Sequence, residues 1–212
     1  MPIDSILSLE QKTELIPVDG WNCADVPLAC RSQNLVRRAG LFFLAVACSW
    51  SILAAGGQKA TTIILVRHAE KDTMRYDPPL TAVGRERAQD LARVLERASV
   101  NAIYGTQFVR TQETVQPLAD KLGLKIDIVD ADASDLKGHA EVLVKTILSR
   151  HAGQVILISS HSNVIPLIVQ ALKAGPAFEI RDSEHDYLYM ITLDTSGETK
   201  LLQLRYGRPS PR

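Results

Sequence analysis

With 212 residues, 46% of them hydrophobic and 23% charged, the chain has room for one domain with a substantial core, plus extra material, and the composition of an ordinary soluble globular protein. Lysine plus arginine equals aspartate plus glutamate at 24 each, which excludes the strong field of a nucleic-acid or polyanion binder. Cys23, Cys30 and Cys48 all precede residue 60, so whatever folds beyond it has neither thiol nor disulfide, and no metal-type Cys/His spacing occurs anywhere.

Residues 1–36 show no clear helical or strand period and read as a disordered leader. Arg37-Arg38 then precede an apolar run, Leu41–Ala55, closed by Gly56-Gly57. A basic pair, an apolar core and a small-residue exit predict a signal peptide or membrane anchor over 37–57. The run is shorter than the ~20 residues that span a bilayer comfortably. The domain that follows is therefore expected to be exported (periplasmic or extracellular) or tethered to a membrane through residues 39–57. Cleavage is expected after Ala47 or near Ala54–Gly56. Leu44–Ala47 before Cys48 only faintly resembles a lipoprotein box, because its leucine is one position too far back. A signal normally starts a protein, so the expected true start lies near Val36. A buried core helix is the alternative, but the run has no polar face.

Residues 60–208 read as one domain. Thr62–Val66 is a strand buried on both faces, ending abruptly in Arg67-His68. After a loop rich in aspartate and proline, Thr81 is placed to cap a helix whose apolar face is Ala88, Leu91, Ala92, Leu95 and Ala98. Val100–Thr106 is a second strand. A second helix is expected from about Arg110, kinked or started late by Pro117 and ended by Gly123. Lys125–Asp130 is a third strand, an acidic loop leads to a helix over 138–150, and Gln154–Ser159 is a fourth, strongly buried strand. A helix follows over 163–173, with Pro166 tolerable in its first turn. Tyr187–Leu193 and Lys200–Arg205, joined by Asp194–Thr199, read as a hairpin. Strands alternating with helices predict an α/β fold, a mostly parallel central sheet covered on both faces with an edge hairpin near the C-terminus.

Three strand exits carry conspicuous polar residues: Arg67-His68, then Thr106–Thr111 with Arg110, then Ser160-His161-Ser162-Asn163. Individually, His161 reads first as a satisfied structural histidine and Arg110 as a solvated charge; their joint placement carries the argument. A parallel sheet places all three on one rim, where ligands bind in open α/β sheets. Two arginines and two histidines together repel one another unless an anion neutralises them, so a phosphate-like ligand is the natural occupant. A histidine whose other ring nitrogen is held by a neighbour can also serve as a covalent nucleophile.

These segments resemble the histidine phosphatase superfamily, the phosphoglycerate-mutase-like fold. Val66-Arg67-His68-Ala69-Glu70-Lys71 matches its Arg-His-Gly/Ala signature, and Leu80-Thr81-Ala82-Val83-Gly84 its Leu-Thr-x-x-Gly helix start. Tyr104–Thr114 resembles its second-arginine segment and Ser160–Asn163 its Gly-His-x-Asn segment. The resemblance covers roughly 61–172. It implies a three-layer α/β/α sandwich and makes His68 the nucleophile that becomes phosphorylated. Arg67, Arg110 and His161 would hold the transferring phosphoryl group, with Asn163 beside them in substrate binding, and water would hydrolyse the phosphohistidine. It implies a small phosphorylated substrate, no nucleic-acid partner, and neither metal nor organic cofactor.

One departure concerns the leaving-group acid. Many members carry a glutamate shortly after the third strand, whereas Val129–Asp135 holds only aspartates. Asp132 is the first candidate, with Asp130 and Asp135 behind it, although the acids read first as a loop favouring the dipole of the following helix. Without an acid, good leaving groups or phosphohistidine substrates are expected over poor alkoxides. This gap, the Ala69-Glu70-Lys71 continuation and the short chain resemble the small phosphatase branch more than the mutases. Glu184, His185 and Asp186 are placed to line the pocket mouth without an assignable role. The competing readings are a catalytically weak phosphate-binding module of the same fold and a metal-dependent hydrolase. Two arginines beside the histidines argue against the latter, since they repel a cation.

Overall fold

Alternate residues of the first strand face opposite cores, and that division organises everything packed around it. In the computed structural model, residues 59–73 and 76–211 are described; they belong to the second of two units, Met1–Gly56 and Gly57–Arg212. The expected leader and apolar segment, residues 1–57, lie outside the described residues. Among the described residues no helix is long and apolar enough to cross a membrane.

The elements run β1 (Thr61–Arg67), α1 (Ala82–Leu95), β2 (Val100–Gly105), α2 (Val109–Leu122), β3 (Ile126–Ile128), α3 (Leu136–Arg150), β4 (Val155–Ser160), α4 (Ile165–Ala171), β5 (Tyr187–Leu193) and β6 (Thr199–Arg205). One six-stranded sheet has the order β3-β2-β4-β1-β5-β6. β1, β2, β3 and β4 are parallel, and β5 and β6 add an antiparallel edge hairpin beside β1. The fold is therefore the expected α/β/α sandwich. Ile63 and Leu65 join one core with α3 and α4, while Ile64 and Val66 join the other with α1 and α2. A strand in that position must be apolar on both sides, which is why its sequence reads as a continuous hydrophobic run.

Boundaries moved where tertiary contacts outweigh local preference. α2 begins at Val109 and continues through Pro117 without interruption. Its buried face, Thr111, Thr114, Val115, Leu118 and Ala119, holds the helix in place despite the missing N–H. Gly123 ends it in the left-handed conformation at φ 66°, as the sequence indicates. β3 is only Ile126–Ile128, because as an edge strand it pairs with β2 alone. α3 starts earlier than expected, at Leu136, capped by the Asp135 carboxylate, which accepts from Gly138 N at 2.8 Å. α4 is shorter than expected because Val164 and Ile165 N–H groups both bond back to the His161 carbonyl in a preceding turn.

Candidate active site

β1 delivers its last residues beside the end of β4, where His68 N donates to Ser160 O at 2.9 Å. His68 is 3% exposed. Its Nδ1 lies 2.9 Å from the Ala69 carbonyl, an acceptor, so Nδ1 carries the proton and Nε2 keeps its lone pair. Burial, followed by the charges of Arg67, His161 and Arg110, pushes its pKa down to about 2, so the ring is neutral. His161 follows β4; its ring centroid lies 5.5 Å from that of His68, edge-on. Burial and the two arginines lower its pKa to about 4. Its Nε2 is 3.1 Å from Thr106 Oγ1 at the end of β2, and Thr106 in turn meets Thr111 Oγ1 at 3.0 Å.

Arg110 stands on the first turn of α2. Its guanidinium lies 4.2 Å over the Phe108 ring, and Phe108 packs edge-on against His161 at 5.3 Å. Nη1 reaches the Asp77 carboxylate at 3.4 Å, whereas Nε is buried with no hydrogen-bond partner. Arg67 is similarly divided. Nη1 donates to the carbonyls of Arg181 at 2.6 Å and Glu184 at 3.3 Å, and Nη2 to Asp182 Oδ1 at 3.3 Å, while its buried Nε has no partner. Two orphaned guanidinium N–H groups beside two neutral histidines form a donor-rich, electropositive centre suited to a tetrahedral anion. His68, Arg110, His161, Phe108 and Asn163 line a cavity of about 350 Å³.

Arg67, His68, Arg110, His161 and Asn163 thus converge, whereas the candidate acids Asp130, Asp132 and Asp135 do not line the cavity, nor do Glu184 and Asp186, the latter paired with Arg205. Ala131 and Ala133 face the cavity, but Asp132 between them does not line it. Asp132 is exposed, and its Oδ1 accepts from Ser134 N at 2.8 Å and Ser134 Oγ at 2.7 Å. Those bonds stabilise the carboxylate and lower its pKa, the wrong direction for an acid catalyst. Asp135 is the cap of α3, and Asp130 is exposed.

Several supports were not foreseen. His185 Nδ1 donates to the His68 carbonyl at 2.9 Å and the two rings lie 5.7 Å apart. Ala69 N donates to Thr114 Oγ1 at 2.9 Å, whose own hydroxyl bonds the Arg110 carbonyl at 2.7 Å, tying the loop after His68 to α2. The Thr111/Thr114 spacing, one helical face, was the only signal for this. Behind the site Arg87, buried in α1, holds Glu70 through Nε at 2.9 Å and Nη2 at 2.7 Å. Arg87 Nη1 also donates to the carbonyls of Tyr206 and Arg208.

Residues 63–131 match the model of the histidine phosphatase superfamily (branch 1). Over this stretch, about a third of its length, the chain is similar to that superfamily. Mycobacterial glucosyl-3-phosphoglycerate phosphatase shares its fold with a TM-score of 0.56 at 13% identity, over 70% of this chain and 99% of that one. The alpha-ribazole phosphatase of Shigella flexneri does so with a TM-score of 0.55 at 21% identity, over 68% and 96%. A phosphoserine phosphatase variant from Entamoeba histolytica follows at 0.52 and 13% identity, over 69% and 96%. Among curated sequences, a 78-residue segment is 36% identical to PE-PGRS family protein PE_PGRS11 of Mycobacterium tuberculosis, covering 32% of this chain. The match spans only 13% of that relative's length. The matched stretch includes Arg67 and His68 and ends at Ala131, beside Asp132, which does not line the cavity.

Proposed function

We propose that this histidine phosphatase hydrolyses a phosphomonoester, or a phosphohistidine, through a covalent phosphohistidine on His68. The observation that carries the reading is the ring of His68, neutral, fixed by the Ala69 carbonyl with its Nε2 lone pair free, between two arginines with buried unpaired N–H groups. Nε2 attacks phosphorus, the P–O bond to the leaving group breaks, and its electron pair departs with that oxygen. Arg67, Arg110 and His161 stabilise the charge on the equatorial oxygens. Water then attacks phosphorus, the P–N bond breaks, inorganic phosphate leaves and Nε2 regains its lone pair. Asp132, ionised and turned to Ser134, is not poised as the acid, which favours substrates whose leaving group departs without much protonation.

The test is p-nitrophenyl phosphate hydrolysis by the purified chain and by His68→Ala, each with and without EDTA. EDTA-resistant turnover lost by at least 10³-fold in the variant, with an acid-labile phosphoenzyme trapped only in the wild type, is expected. Phosphate-dependent thermal stabilisation with no turnover would instead establish a binding module. The apolar run Leu41–Ala55 is proposed as an export signal or membrane anchor. Amino-terminal sequencing of the native protein beginning intact at Met1 would contradict a cleaved signal.

A further inference from the structure

A second, larger cavity of about 570 Å³ adjoins the first, and the two share Ser162 and Asn163 as a common wall. One side is the start of α4, with Pro166 and Leu167; the other is the segment before β5, with Phe178 and Ile180. Phe178 is braced from behind by the Tyr189 ring, 5.1 Å away, and Tyr189 is itself buried. The same segment continues into Arg181–Glu184, where the carbonyls of Arg181 and Glu184 accept from Arg67, so this wall is tied to the arginine beside His68. Among the residues lining the cavity the one charged group is the Glu179 carboxylate, and no cation lines it.

We propose that this cavity is the leaving-group subsite, taking an apolar or aromatic alcohol that carries a cationic or neutral substituent and rejecting one with a second anionic group. The proposal rests on the phosphatase reading and adds its substrate class. A phosphoryl group in the first cavity projects its ester oxygen past Asn163 into the second. There the carbon framework meets a fixed aromatic face and two aliphatic side chains, which favour a ring over a hydrated polyol. A carboxylate or second phosphate placed there would face Glu179 with no cation to offset it, whereas an ammonium group would be paired.

Three esters test this on the full chain: phenyl phosphate, 4-(aminomethyl)phenyl phosphate and 4-carboxyphenyl phosphate. Intrinsic leaving-group reactivity cancels when the cationic-to-carboxylate ratio of kcat/KM is compared between wild type and variants. Glu179→Gln should lower that ratio by up to about five-fold, the range of a solvent-facing ion pair, and Glu179→Lys should lower it further. Phe178→Ala should raise KM for the aryl esters by about two- to ten-fold relative to methyl phosphate, with Phe178→Leu intermediate and retaining the fold. Turnover of all three esters with ratios insensitive to Glu179 would overturn the subsite and leave the phosphatase reading standing. Absence of turnover of every ester by the wild type would overturn both.

Discussion

Gly84→Ala tests how α1 is seated on the loop that follows His68. In an open helical position alanine would stabilise by about 1 kcal/mol over glycine. Here a Cβ on Gly84 would lie 2.2 Å from the Glu70 carbonyl oxygen and 3.1 Å from Glu70 C and N. All three are backbone atoms, so no side chain can swing aside. Relief requires α1 and Glu70 to part by roughly an ångström. The same carbonyl accepts from Thr81 N at 2.9 Å and Thr81 Oγ1 at 3.2 Å, and the Thr81 hydroxyl oxygen caps Gly84 N at 3.1 Å. Overpacking strain of about 1–3 kcal/mol, plus about 1 kcal/mol for each weakened bond, outweighs the helix-propensity gain. The net loss is about 2–4 kcal/mol, a fall in Tm of roughly 5–15 °C for a domain of this size. Urea and thermal unfolding of the variant measure it, and kcat on p-nitrophenyl phosphate should fall as the loop after His68 shifts. A Tm equal to or above that of the wild type would refute the reasoning, since propensity would then have won over contact.

Three further outcomes follow from the site's electrostatics. His68 and His161 have folded pKa values of about 2 and about 4, below the unfolded value near 6.5, so the unfolded chain binds the extra protons as pH falls. Their contribution is fully present above pH 6.5 and is lost below it, by about 1.4 kcal/mol per pH unit for each histidine until its folded pKa. Urea titrations at pH 7.5 and pH 5 should therefore show a steeper loss in wild type than in His161→Gln; equal slopes would contradict the assigned protonation. Arg87→Met leaves the half-buried Glu70 carboxylate without its partner and should cost about 2–4 kcal/mol, partly restored by adding Glu70→Gln, as chemical denaturation would report. Asp77→Asn removes the carboxylate competing for Arg110 and should tighten inorganic phosphate binding by up to about five-fold in calorimetry. Weaker binding would mean that Asp77 positions Arg110 rather than competing for it.

Much of the site was legible because its residues follow strands. A continuous apolar run predicts burial on both faces, and the residue after such a run in a parallel sheet stands on the ligand-binding rim. That logic placed Arg67, His68, Arg110 and His161, and the structure gathers all four. It failed at Asp132, where alternation along an irregular loop carries no period: Ala131 and Ala133 turn inward and the carboxylate turns out to Ser134. It also failed to foresee a continuous α2, because Pro117 is a local signal and the helix is held by its buried face.

Local patterning by itself determined which segments are strands and helices, that the sheet is mainly parallel with an edge hairpin, and which polar residues meet at its rim. Only the tertiary structure decided how those residues are held and charged. The tautomer of His68 depends on the Ala69 carbonyl, and its neutrality on burial beside Arg67 and Arg110, neither of which one-dimensional spacing contains. The support from His185 bridges residues 117 apart in the sequence, and the segment that holds Arg67 joins the site from a comparable distance. Periodicity records which way a side chain faces within its own element. What it faces is set by packing between elements, and the site's charge state follows from that packing.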